Sequence, residues 1–110
     1  MDTTRTARIR ALNDQLRQTG NVGQILATPG VTALGPLFML RAFGEMAAFE
    51  SFDDSNDPYG EHDFGSLHLD EHWLFWKIDY YGPDLKSGAD DPADPDKCRR
   101  VLTIMLSDEY

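Results

Sequence analysis

Cysteine is nearly missing from this 110-residue chain: Cys98 stands alone. No intramolecular disulfide can form, and a reducing compartment is the simpler setting. Long apolar runs are missing too. The longest, Val31 to Phe49, is broken by Gly35-Pro36, Arg41 and Glu45, which argues against a membrane span. The opening Met1-Asp2-Thr3-Thr4-Arg5 has no apolar signal core, so the expected location is cytoplasmic. The chain also lacks a Gly-x-Gly-x-x-Gly, a phosphate loop, a Gly-x-Ser-x-Gly, a paired-Cys motif and a His-Glu-x-x-His. The common signatures of nucleotide binding, serine hydrolysis and zinc catalysis are therefore unavailable. No cofactor, metal or catalytic residue is expected on these grounds.

Positive charge is scarce where negative charge is dense. No Lys or Arg lies between Arg41 and Lys77, while nine acids do. Residues 1–41 carry a net +3 and residues 42–110 a net −12, giving −9 for the chain. Such a field repels phosphate backbones and disfavours direct nucleic-acid binding. It suits a basic partner, a cation, or solubility alone. Hydrophobic residues at 41% and aromatics at 11% are ordinary for a folded protein. At this length a single compact domain over 1–110 is expected, burying roughly two-thirds of its unfolded surface.

The periodicities predict an α+β fold, two N-terminal helices packed on a small antiparallel sheet that contains a C-terminal β-hairpin. The first helix starts at Thr3 or Thr4, carries Ile9, Leu12 and Leu16 on a narrow stripe, and stops at Gly20. Arg5, Arg8 and Asp14 lie off that stripe, so it reads as a surface helix. Val22 to Thr28 offers strand formers in Val22, Ile25 and Leu26, and Pro29-Gly30 reads as a type II turn. A second helix runs from Gly35-Pro36 to Phe49, apolar around most of its cylinder. Arg41 and Glu45 form an i,i+4 pair on its wet edge, and it reads as the core helix.

A polar loop from Phe52 to Gly65 precedes the hairpin. With Asp70-Glu71 as a two-residue turn, Leu69 pairs with His72 and Leu67 with Leu74. One face then carries Leu67, Leu69, Leu74, Trp76, Ile78 and Tyr80. The other carries Phe64, His68, Trp73, Phe75, Lys77 and Asp79. After an acidic loop over 82–96, β-branched residues favour a strand at Arg99–Leu106, although Cys98, Val101, Leu102 and Met105 also fit a helical stripe.

Four constellations could carry chemistry. Asp53, Ser55, Asp57, the Tyr59 carbonyl and Glu61 imitate the first half of an EF-hand loop. Pro58 then replaces its turn glycine and Phe64 its bidentate glutamate, so a self-capping loop is the simpler reading. His62, Asp63, Lys77 and Asp79 form a candidate polar cluster, because the register sets His62 across from Asp79. A carboxylate beside an imidazole suits a general base, and equally a structural ion pair. His68, Glu71 and His72 flank the turn, but the two histidines fall on opposite faces, which is poor for zinc. Lys97, Arg99 and Arg100 would lower the Cys98 thiol pKa if it were exposed, and a small buried residue is the simpler role.

The chain also carries Ile9-Arg10-Ala11-Leu12-Asn13-Asp14, Gly30-Val31-x-Ala33-Leu34-Gly35, Asn56-Asp57-Pro58-Tyr59-Gly60-Glu61-His62-Asp63-Phe64-Gly65, Phe75-Trp76-Lys77-Ile78-Asp79-Tyr80-Tyr81 and Arg100-Val101-Leu102-Thr103-Ile104-Met105-Leu106. In these segments it resembles the bacterial domain-of-unknown-function family 3768. The resemblance implies an alphaproteobacterial protein of plasmids and other mobile elements, often near antirestriction genes, and brings no established activity. The expectation is a non-enzymatic acidic interaction protein that inhibits a host defence complex, of the antirestriction or anti-CRISPR kind. It would occupy a basic nucleic-acid-binding surface without touching nucleic acid or membrane itself. Asp53, Asp54, Asp57, Tyr59, Glu61, Trp73 and Phe75 would meet the partner, with Asp90–Asp96 adding charge. One alternative is a small metal-dependent or acid/base enzyme using Glu61, His62, Asp63, Lys77 and Asp79. Another is a regulator whose first helix contacts nucleic acid through Arg5, Arg8, Arg10 and Arg17.

Overall fold

Gly20 ends the first helix as its position promised: its N–H bonds the Leu16 carbonyl at 2.8 Å with φ at 80°, the left-handed cap that glycine adopts without strain. The computed structural model describes residues 3–110. In order come α1 (Thr3–Thr19), β1 (Gly23–Ala27), α2 (Pro29–Thr32), α3 (Pro36–Ala48), β2 (Phe64–Leu69), β3 (His72–Tyr81), β4 (Arg99–Leu106) and a 3-10 turn at Ser107–Glu109. Among the described residues no helix is long and apolar enough to cross a membrane.

The α+β class holds, with a mixed sheet of order β1-β4-β3-β2. Antiparallel pairing fails at one edge, where β1 runs parallel to β4, Ile25 opposite Leu102. The hairpin register is the one alternation dictates: Leu69 faces His72, Leu67 faces Leu74 and Phe64 faces Lys77. A one-residue slip would expose the apolar set, which pins the pairing. Residues 99–106 are a strand, the β-branched content prevailing over the helical stripe. Pro29-Gly30 makes no type II turn. It opens α2, with Pro29 at the first helical position where its missing N–H costs nothing.

Leu16, Val31, Phe38, Ala42 and Met46 from the helices meet Leu67, Leu69, Leu74, Trp76, Ile78, Leu102 and Ile104 from the sheet in one core cluster. Each fully buried aliphatic side chain contributes about 1.5–3 kcal/mol. Trp76 sits at its centre. The position across from it is Gly65, where an added Cβ would lie 2.5 Å from the indole nitrogen, so only glycine lets the ring lie flat on β2.

Both helices differ from expectation in what they bury. Helix α3 buries only Phe38, Ala42 and Met46, leaving Leu37 and Leu40 outside. Arg41 pairs with Asp70 of the hairpin turn at 3.1 Å instead of with Glu45. Helix α1 buries Asn13 and Arg17 beside Ile9 and Leu16. Its inner face is therefore half polar, and Asp14 turns towards the protein instead of water.

Candidate functional site

The buried polar face of α1 organises a network that ties four segments together. Asn13 sits one turn after Ile9, and Arg17 one turn after Asn13, so both extend the apolar stripe sideways. Asn13 Nδ2 donates to the Glu61 carbonyl at 3.0 Å and to the Tyr80 hydroxyl at 2.7 Å. The Tyr80 hydroxyl in turn donates to Glu61 Oε1 at 2.7 Å. Arg100 Nε donates to Asn13 Oδ1 at 2.7 Å, and its Nη2 donates to the Pro92 carbonyl. Burial and the Glu61 bond together hold the Tyr80 phenol far above its ordinary pKa, so the hydroxyl stays a donor. Burial pushes the Arg100 guanidinium down.

Arg17 completes the network at the other end. Its Nη1 donates to the carbonyls of Met46, Ala47 and Phe49 at 3.0, 2.9 and 2.9 Å. These lie at the C-terminal end of α3, where carbonyls lack helical partners and the dipole favours a cation. Nη2 donates to Asp14 Oδ1 at 3.0 Å, and the guanidinium carbon lies 5.4 Å from the ring centroids of both Phe52 and Trp76.

His62 joins this network on the side away from Lys77 and Asp79. A φ of 55° swings its ring off the strand line. It stacks on Phe52 at 3.8 Å and 4°, with Nδ1 2.9 Å from Asp14 Oδ1 and Nε2 3.8 Å from Asp57 Oδ2. The expected cluster is thus divided. Lys77 and Asp79 pair with each other at 2.9 Å, on the opposite face of the sheet from the buried Trp76 and Ile78. That bond raises the lysine pKa. The Asp63 carbonyl accepts the Ile78 N–H, while burial and then Glu61 raise its carboxyl pKa. An Asp-oriented imidazole has the form of a general base and its positioning group. It borders a cavity of about 260 Å³ lined by Asp14, Arg17, Gln18, Phe49, Glu50, Phe52 and His62.

The partner-binding residues separate likewise. Tyr59 and Asp54 stand in solvent. Asp53 is held below its usual pKa by bonds from Ser55 and Asn56, an Asx turn. Asp57 is buried, its Oδ1 accepting the N–H groups of Glu61 and His62, and Glu61 is committed to Tyr80. Neither of these two is free for a partner. The EF-hand imitation resolves into these self-capping bonds, and among the described residues no three His, Cys, Asp or Glu gather to hold a metal ion. His68 lies against Trp73 and His72 against Phe38, on opposite faces. Cys98 is buried, and burial raises its thiol pKa.

The arginines of α1 are occupied by the two acidic loops. Arg5 meets Asp91 at 3.2 Å, Arg8 donates to the Ala93 carbonyl at 2.6 Å, and Arg10 donates to the Gly60 carbonyl at 3.0 Å. Arg17 is buried, while Arg5 and Arg8 stay exposed beside these partners.

The second candidate surface is the sheet face turned away from α1 and α3. Trp73 is 56% exposed there and Tyr110 75%. Phe64 and Phe75 lie 5.3 Å apart, and Tyr110 meets both edge-on at 6.0 and 5.4 Å. Leu26 of β1 is also exposed. Alternation along the hairpin reveals Trp73 and Phe75. Tyr110 comes from beyond the last strand, and no periodicity announces it.

Helices on one side of a four-stranded mixed sheet, with an uncovered aromatic side, define the chain as a two-layer α+β protein. A family model described as "Protein of unknown function (DUF3768)" matches residues 27–109, and the chain belongs to that family. No curated protein and no solved structure matches it.

Proposed function

We propose that this protein acts by binding another protein through the open face of its sheet and catalyses no reaction. The observation that carries this reading is the aromatic sheet face on which Trp73 and Tyr110 stand exposed beside the half-buried Phe64 and Phe75. Large exposed apolar patches mark interaction sites, and aromatic anchors dominate binding energy at interfaces. The partner that fits is basic, because the chain carries −9 overall, although beside the aromatic residues Lys77 and Asp79 neutralise each other at 2.9 Å. Charge complementarity would speed encounter and make binding sensitive to salt.

In its most specific form the partner is the nucleic-acid-binding surface of a host defence complex, and the protein is an inhibitor carried by a mobile element. Charge and the setting implied by the family resemblance support that form. The docking of both acidic loops onto α1 weighs against pure polyanion mimicry, and shifts the contact from those loops to the aromatic face. The test is recovery of partners at low salt from a host carrying restriction or CRISPR effectors, with wild type and Trp73→Ala/Phe75→Ala side by side. The reading expects a nuclease-associated protein retained by wild type and lost by the variant. Equal retention by both, or no such protein with either, refutes it.

A second reading rests on the Asp14–His62 pair beside its small cavity: acid/base chemistry with His62 as base. Its weakness is that Nε2 faces the buried Asp57 carboxylate while Phe52 covers a ring face. A turnover assay against ester and phosphoester panels, comparing His62→Gln with wild type, would decide it.

A further inference from the structure

Where β1 and β4 begin, the molecule holds a cavity whose charge runs against that of the chain. Its volume is about 420 Å³, within the range of about 300–1,000 Å³ that takes small ligands. Val22, Leu85, Cys98 and Val101 make its wall mostly apolar, and its charged members are Arg99 and Arg100. Among the described residues no aspartate or glutamate lines it, in a chain with 19 acids against 10 bases. The cavities along α1 and beside Lys97 are each bordered by aspartate. Neither arginine makes an ion pair among the described residues. Arg99 reaches only the carbonyls of Pro95, Asp96 and Cys98, at 3.4, 3.5 and 3.5 Å, longer than the usual about 2.7–3.2 Å. Arg100 is 1% exposed and its Nη1 is buried without a hydrogen-bond partner, an unfavourable state for a charged group.

The apolar wall is strained as well. Val22 and Leu85 hold φ at 66° and 60°, a left-handed conformation rare for bulky and β-branched side chains. Such outliers cluster at ligand sites. Both side chains are partly in water, Val22 37% exposed and Leu85 52%. The turn that presents Leu85 is fixed by Asp84 Oδ1, which accepts the N–H groups of Lys86 and Ser87.

We propose that this cavity binds a small amphiphilic carboxylate, its head at Arg99 and Arg100 and its apolar chain along Val22, Leu85 and Val101. A carboxylate gives a guanidinium the paired acceptor oxygens it matches best, and here it supplies the ion pair that Arg99 lacks. A single charge is favoured over several, because the −9 of the chain repels each further one. The apolar chain of the ligand removes Val22 and Leu85 from water. The site is separate from the aromatic face. Leu74 is opposite Leu106 and Tyr81 opposite Arg99, so Trp73 and the cavity lie at opposite ends of β4. With one head group and a partly open wall, affinity for a short-chain ligand falls in the high-micromolar to millimolar range.

Titration of the full chain with sodium octanoate, followed residue by residue in proton–nitrogen NMR spectra, tests the inference. Wild type should show saturable shifts confined to Val22, Gly23, Gln24 and residues 98–101. Octanol, which keeps the chain, and acetate, which keeps the head, should each bind about tenfold more weakly or less. Arg99→Gln should weaken octanoate about tenfold and leave octanol unchanged. Arg99 is exposed, so this variant keeps the fold. Val22→Asn should also weaken octanoate, without lowering the melting temperature, because asparagine accepts the left-handed region more readily. Trp73→Ala/Phe75→Ala should bind octanoate like wild type, which separates this site from the one proposed for the sheet face. Shifts that never saturate, or that centre on Trp73 and Phe75, overturn the inference. So does octanol or acetate binding as tightly as octanoate, or either cavity variant binding octanoate like wild type.

Discussion

Replacing Arg17 by alanine should be among the most damaging single changes in this molecule. The guanidinium supplies three bonds to the carbonyls of Met46, Ala47 and Phe49 and one to Asp14, from a position 3% exposed. Hydrogen bonds to a charged group contribute about 1.5–3 kcal/mol each, but bonds from one nitrogen are not additive. Removing one member of a buried ion pair costs about 3–5 kcal/mol, and we expect Arg17→Ala to fall in that range. Set against the roughly 5–15 kcal/mol that stabilises a typical domain, the loss is a large fraction. It corresponds to a fall in melting temperature of about 10–20 °C for a domain of this size. Arg17→Met keeps the stem volume against Phe52 and Trp76 and should recover part of the loss. Arg17→Lys should recover less than charge alone suggests, because a single ammonium cannot bridge the carbonyls and Asp14 together. Urea and thermal unfolding of the four proteins give the comparison. A loss below about 1 kcal/mol for Arg17→Ala would refute the claim that this side chain joins α1 to the end of α3.

Gly65→Ala places a methyl against the Trp76 indole and should cost about 1–3 kcal/mol in urea unfolding, with near-ultraviolet dichroism reporting the displaced ring. Asp63→Asn should raise stability at neutral pH and leave it unchanged in strong acid. The raised folded-state pKa means that the protonated form is favoured on folding. Wild type therefore loses stability as pH climbs through the ordinary value of 3.8 to the raised one, a penalty that asparagine escapes. Melting curves across pH 3 to 7 check the sign. The buried Cys98, with its raised thiol pKa, should resist iodoacetamide in the native protein and react only as fast as the chain opens.

The hairpin was legible in the sequence because two-residue alternation and a turn leave one register that buries Leu67, Leu69, Leu74, Trp76 and Ile78 together. The strand at 99–106 was legible from its β-branched residues. The parallel pairing of β1 with β4 was not, since five residues with one solvent-facing edge hold no signal of direction. The polar network escaped for a different reason. Asn13 and Arg17 look like ordinary wet residues until their partners are known, and all of those but Asp14 come from segments 29 to 87 positions away. A signal existed nonetheless, in two long polar side chains one turn apart beside the apolar stripe of α1. His62 was assigned to the wrong side of the sheet because strand alternation was extended past Phe64, where the backbone leaves the strand.

The place of β4 in the sheet has a consequence for synthesis. It lies between β1 and β3, so the partner that β1 needs is made 77 residues after Gly23, opposite Arg100. Until that strand leaves the ribosome, β1 has no neighbour and β3 offers an unpaired edge beside its row of aromatics. Nascent chains of this protein should therefore depend on trigger-type chaperones more than its modest size suggests, and should acquire protease resistance abruptly when the central strand slots in.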